Sequence, residues 1–84
     1  MTYKFDIQKK AQKFIRKQSK EIQTRLLQAI YKLPHEGNIK TLSAHEGLMR
    51  LRVGDYRIVY SVDNGHYIIY IINAGNRGDI YKNL

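Results

Sequence analysis

At 84 residues the chain has room for one domain with one modest core, since a domain this small buries roughly 60–65% of its unfolded surface. Hydrophobic residues make up 43%, too many for a disordered chain, and the lack of cysteine excludes disulfides, thiolate nucleophiles and cysteine-based zinc sites while fitting a cytoplasmic location. Lys and Arg number 15 against 7 Asp and Glu, a formal net charge of +8 that attracts polyanions: nucleic acid first, with a membrane surface or an acidic protein partner as alternatives.

No apolar run approaches the ~18 residues of a membrane-spanning helix, and no signal peptide is visible. Tyr3 to Ile7 alternates Tyr3, Phe5 and Ile7 with Lys4 and Asp6, which predicts a short strand with one buried face. From Gln8 the period changes. Ile7, Ala11, Phe14 and Ile15 fall on one helical stripe, flanked by Lys9, Lys10, Lys13 and Arg16; these cations read as a solvated face that helps hold RNA. Ser19 is placed to cap a second helix, where Ile22, Leu26, Ala29, Ile30 and Leu33 repeat at amphipathic spacing. Leu33-Pro34 should end it, because the residue before proline avoids the helical region. Two helices folded as a hairpin bury more than one continuous helix. His35 to Gly47 reads as a loop, with a brief extended piece over Ile39 to Leu42.

The stretch LMRLRVGDYRIVY, from Leu48 to Tyr60, predicts a strand pair joined by Gly54-Asp55, since glycine at the first turn position accepts the positive φ of a type II′ turn. That turn fixes the register, with Val53 facing Tyr56, Arg52 facing Arg57, Leu51 facing Ile58 and Arg50 facing Val59. Met49, Leu51, Val53, Tyr56, Ile58 and Tyr60 then share one face, and Arg50, Arg52 and Arg57 the other. Like charges directly opposite repel. Arginines are common on a solvated outer face, but three cations on one strand pair are better explained by an anion lying against them. Asn64-Gly65 signals a second two-residue hairpin, placing Val62 opposite Tyr67, Tyr60 opposite Ile69 and Ile58 opposite Ile71. After Asn73 the chain reads AGNRGDIYKNL, a loop with a short tail. The order is strand, helix, helix and a three-stranded antiparallel meander (β-α-α-β-β-β), which makes residues 1–84 one α+β two-layer domain with the helices on the face of Leu51, Ile58, Tyr60, Ile69 and Ile71.

RLRVGDYRIVY at 50–60 and GNRGDIY at 75–81, behind a strand and a helical hairpin, resemble the RelE/ParE toxin superfamily, and the RelE branch most closely. The resemblance covers essentially the whole chain. It implies the toxin of a type II toxin–antitoxin pair. RelE-like members enter the ribosomal A site and cut mRNA there as endoribonucleases; the ParE branch instead inhibits DNA gyrase. The partners implied are a cognate acidic, RelB-like antitoxin, the ribosome and mRNA, with no membrane and no cofactor. Carried over by position, Arg57 stabilises the phosphate in the transition state, Arg50 and Arg52 are the basic residues of the preceding strand, Arg77 is the loop arginine and Tyr81 stacks on the base. This makes Arg50, Arg57, Arg77 and Tyr81 the expected catalytic set, with Arg52, His45 and Lys82 as RNA contacts. A lysine that some members carry two positions before Arg50 is Leu48 here, and the final segment is short.

The chemistry can be judged from the residues themselves. Cleaving RNA through its 2′-OH needs a proton acceptor, cations on the phosphoryl oxygens and a proton donor to the leaving 5′-oxygen. Guanidinium groups suit the second task, because they fork onto phosphate oxygens, and fail the first, because they stay protonated. Tyr81, His45, Glu46 and Asp79 are the candidates for proton transfer. His35 and His66, beside a helix end and a turn, read as exposed, and three scattered histidines without cysteine make a poor metal site. A non-enzymatic inhibitor of a DNA-handling enzyme and a plain basic nucleic-acid-binding module remain the other readings of this sequence.

Overall fold

The computed structural model describes residues 2–42 and 46–76. Its elements are β1 (Lys4–Ile7), α1 (Lys9–Arg16), α2 (Lys20–Tyr31), β2 (Asn38–Thr41), β3 (Met49–Val53), β4 (Tyr56–Asp63) and β5 (Ile68–Asn76). The Ser19 side chain accepts the Ile22 N–H at 3.3 Å, so the expected cap starts α2. The helix stops at Tyr31, short of Leu33-Pro34, because its last turn tightens: the Lys32 and Leu33 N–H groups donate to the Ala29 and Ile30 carbonyls. Leu33 still reaches the core. No helix among the described residues is long and apolar enough to cross a membrane.

The sheet is larger than the expected meander. Its five strands run β1-β5-β4-β3-β2, with β1 parallel to β5 and the remaining pairs antiparallel. The predicted extended piece pairs with β3 and forms one edge; the N-terminal strand forms the other. One core lies between the helices and one sheet face, joining Ala11, Ile15, Leu26 and Ile30 to Leu51, Ile58, Tyr60, Ile69 and Ile71. The fold is the expected α+β two-layer arrangement.

The β3–β4 register is as predicted, pair by pair. Gly54 has φ +60° and Asp55 keeps a negative φ, as a type II′ turn requires. The β4–β5 register differs. Asp63 pairs with Ile68, leaving a four-residue loop over 64–67, and Val62 faces Ile69 instead of Tyr67. The cause is the Asp63 carboxylate. One oxygen accepts the Gly65 and His66 N–H groups at 3.1 Å each, the other meets His66 Nδ1 at 2.9 Å, and Tyr67 takes the left-handed conformation at φ +55°. Tyr67 is therefore an exposed loop residue, edge-on to Tyr3, with no place on the core face. The slip of two positions keeps Ile69 and Ile71 facing the core.

A bulge between Val59 and Tyr60 shifts the register again, so Tyr60 faces Ile71, Val59 faces Asn73 and Ile58 faces Ala74 rather than Ile71. It turns Ala74 into the core. The strand also outlasts the expected loop boundary at Asn73: Ala74, Gly75 and Asn76 pair with Ile58, Arg57 and Tyr56. The partner strand supplies ladder bonds there that outweigh the poor strand propensity of glycine and asparagine.

Candidate nucleic-acid interface

Arg50, Arg52 and Arg57 lie on the sheet face away from the helices, because they alternate with Leu51 and Ile58, which are buried among helix side chains. Arg52 and Arg57 stand directly opposite each other. Their repulsion is relieved by the turn: Arg52 Nε and Arg57 Nη1 donate to the same Gly54 carbonyl, at 3.3 and 3.1 Å, and Arg57 Nη1 also reaches the Tyr56 carbonyl at 3.2 Å. Arg50 donates from Nη2 to the Asn38 side-chain oxygen at 3.1 Å, while its Nε is buried with no hydrogen-bond partner. Among the described residues, no lysine or arginine lies within 4.0 Å of a carboxylate, and His66–Asp63 is the salt bridge found. The arginines are thus positioned by neutral backbone and amide oxygens, which orient guanidinium groups without cancelling their charge.

The β2 edge strand adds to this face. Its pairing sets Lys40 opposite Arg50 and Asn38 opposite Arg52. Across β4, Gly75 stands opposite Arg57 and Asn73 opposite Val59. One row across the sheet therefore reads Asn38, Arg52, Arg57, Gly75, and the next reads Lys40, Arg50, Val59, Asn73. The glycine leaves the space beside Arg57 without a side chain. The face carries the charge that a phosphodiester backbone needs, although Val59 in its second row is fully buried and Arg50 and Arg57 are half-buried.

Comparison with known proteins decides what this surface belongs to. Residues 5–81 match the family described as ParE toxin of type II toxin-antitoxin system, parDE. The RelE–RelB complex of the archaeon Pyrococcus horikoshii OT3 contains a chain 30% identical to this one, with a TM-score of 0.78 over 94% of this chain and 99% of that one. The chain belongs to the RelE/ParE toxin family. The RelBE2 toxin–antitoxin complex of Mycobacterium tuberculosis shares the fold at 22% identity, with a TM-score of 0.76 over 92% of this chain and 100% of that one. The curated Toxin RelE of Mycobacterium tuberculosis is 46% identical over 37 residues, a match spanning 44% of this chain and 38% of that protein.

In this RelE/ParE toxin the three strand arginines come together as the sequence predicts. His45, Arg77, Asp79, Tyr81 and Lys82 lie outside the described residues. Glu46 is described, and it is exposed beside a cavity of about 540 Å³ lined also by Thr41, Met49, Val62 and Asn64. That cavity is at the end of the hairpin away from Gly54, so Glu46 is not brought to Arg57. His35 and His66 are exposed, the first edge-on to Tyr3 and the second bonded to Asp63. Lys40 and Asn38 are the additions that the sequence reading lacked. Their signal was the alternation of Asn38 and Lys40 about Ile39, in a piece too short to assign to a face on its own.

Proposed function

We propose that this type II toxin is an endoribonuclease that cuts mRNA in the ribosomal A site by attack of the 2′-OH on the neighbouring phosphorus. The attack forms a 2′,3′-cyclic phosphate and breaks the bond to the 5′-oxygen. Arg57 and Arg50 meet the phosphoryl oxygens as charge builds on them, and Arg52 holds the adjoining backbone. Arg77 and Tyr81 complete the site as a further phosphate contact and a base-stacking group, with His45 and Lys82 as flanking RNA contacts. Arginine does not deprotonate near neutral pH, so the proton steps fall to Tyr81, His45 or Asp79.

The observation that carries this reading is the three-arginine face, held on the Gly54 carbonyl and the Asn38 side chain with no described carboxylate to neutralise it. A solvated outer face has no use for two facing arginines tied to one carbonyl. The same charge, on a chain of net +8, calls for an acidic cognate antitoxin. The complexes of RelE with RelB among its structural relatives support that partner. The alternative reading is gyrase inhibition without cleavage, favoured by the ParE description of the matching family. The test is to give the purified toxin programmed ribosomes and the same mRNA naked, and to assay gyrase supercoiling in parallel. Cuts confined to the A-site codon of ribosome-bound message support the proposal; intact message with inhibited supercoiling overturns it in favour of the alternative.

A further inference from the structure

A second cluster of cations stands on the other side of the Gly54 turn. Arg25, on α2, carries its guanidinium to the hairpin tip, so close that a Cβ placed on Gly54 would stand 2.6 Å from Arg25 Nη2 and 3.3 Å from its Cζ. Glu21, four residues earlier on the same helix, is the partner that helix geometry offers Arg25, yet the two form no salt bridge. Arg25 instead lines a groove of about 360 Å³ between α2 and β3, together with Gln28, Lys32, Glu36 and Arg52. Arg25 and Lys32 share the groove with one carboxylate, Glu36, and neither lies within 4.0 Å of it. Arg52 belongs to both places: it stands opposite Arg57 on the open face and also borders the groove.

We infer that this groove is a second RNA-backbone site, in which Arg25 and Lys32 take a phosphate flanking the one held by Arg57. The inference rests on the RNA-cleaving reading of the open face and extends it around the hairpin tip. Arg52 makes the path continuous: a strand leaving Arg57 meets Arg52 and then the groove. An acidic peptide is the other polyanion such charge attracts. It fits less well, because peptide recognition draws on large apolar anchors: of the apolar groove residues Leu51 is buried in the core beneath, 1% exposed, and the half-buried Ala29 and Val53 are small. Glycine at position 54 serves both sites. It supplies the positive φ of the turn whose carbonyl holds Arg52 and Arg57, and its bare Cα lets Arg25 press against the backbone.

The probe is a labelled 2′-O-methyl RNA decamer, which binds without being cut, titrated by anisotropy from low to moderate salt. Each lost phosphate contact should flatten the log–log salt slope of single-strand binding by about 0.7. Arg25→Ala should weaken binding by roughly three- to tenfold and flatten the slope by that amount, as expected for one phosphate contact. Arg25→Lys should keep most of the affinity, and Lys17→Ala, at the exposed C-cap of α1, should keep the slope. On programmed ribosomes Arg25→Ala should raise KM with kcat within about twofold of wild type, since it binds flanking RNA and not the reacting phosphate. Thermal unfolding of each variant establishes that it is folded. Wild-type affinity and slope in Arg25→Ala overturn the groove, and leave the cleavage reading standing if Arg57→Ala still slows cutting strongly. An RNA-binding defect in Arg25→Ala, with no cutting by wild type, upholds the groove and removes the cleavage reading. A defect seen only toward an acidic antitoxin peptide makes the groove a protein site and overturns the inference.

Discussion

Replacing Gly54 by alanine tests whether the turn that organises the arginines is held by its backbone conformation. Gly54 sits at φ +60°, a left-handed conformation that costs an L-residue with a Cβ about 1–2 kcal/mol. The new methyl would also meet Arg25 Nη2 at 2.6 Å, but that atom ends a flexible, exposed side chain and can swing away, so the clash adds little. A destabilisation of about 1–2 kcal/mol lowers the unfolding midpoint of a domain of this size by roughly 4–16 °C. Thermal and urea unfolding followed by circular dichroism measure it. Gly54→Asn separates the two causes, because asparagine tolerates the left-handed region better than alanine although it is larger. Backbone strain ranks stability as Gly, then Asn, then Ala; a steric cause would make Asn at least as damaging as Ala. Alanine equal to glycine, or asparagine worse than alanine, refutes the reasoning.

The core, the second loop and the biology give further tests. Leu51→Ala removes a side chain only 1% exposed between helices and sheet and should cost about 2–5 kcal/mol in urea titration; a loss under about 1 kcal/mol would mean that the helices do not pack there. The His66 side-chain hydrogen bond, with the backbone N–H bonds behind it, holds the Asp63 carboxyl below the usual carboxylate range. A depressed acid stabilises the fold above its unfolded pKa and loses that contribution as pH falls through its folded pKa, so the effect belongs to the window below about pH 4. His66→Ala should move the Asp63 titration, read by carboxyl NMR, back up toward the ordinary range, and an unmoved titration would contradict the loop geometry. Expression of the toxin alone should stop growth, and co-expression of an acidic antitoxin should restore it; normal growth with soluble, folded toxin would count against the toxin's proposed target.

The two hairpins show why part of this structure can be read from the sequence and part cannot. Gly54-Asp55 has no competing side chain, so its turn fixes the β3–β4 register and puts the three arginines on one face as expected. Asn64-Gly65 is as strong a turn signal, but Asp63 stands just before it and its carboxylate caps a longer loop. The competition is between side-chain and backbone acceptors, and residue alternation carries no record of it. The bulge at Val59 and Tyr60, and the strand pairing of Ala74 to Asn76, depend on a partner strand that single-segment propensity ignores. The site divides the same way. Alternation marks Arg50, Arg52 and Arg57, whereas Lys40 and Asn38 join them only through β2 pairing, and Arg25 reaches the hairpin tip only because α2 packs over β3.

The most direct test of the account is single-turnover cleavage of A-site mRNA on programmed ribosomes by wild type, Arg57→Ala and Arg57→Lys. Wild type should leave an upstream fragment ending in a 2′,3′-cyclic phosphate or its 3′-phosphate hydrolysis product. Arg57→Ala should cut roughly 10²–10³-fold more slowly, the usual loss for one transition-state donor. Its stability should stay within about 0.5 kcal/mol of wild type, because the side chain lies on the open face and leaves no core cavity. Arg57→Lys should recover part of the rate, since a point charge cannot fork across two oxygens. Undiminished cleavage by Arg57→Ala would contradict the account, because the arginine face would then have no part in the chemistry.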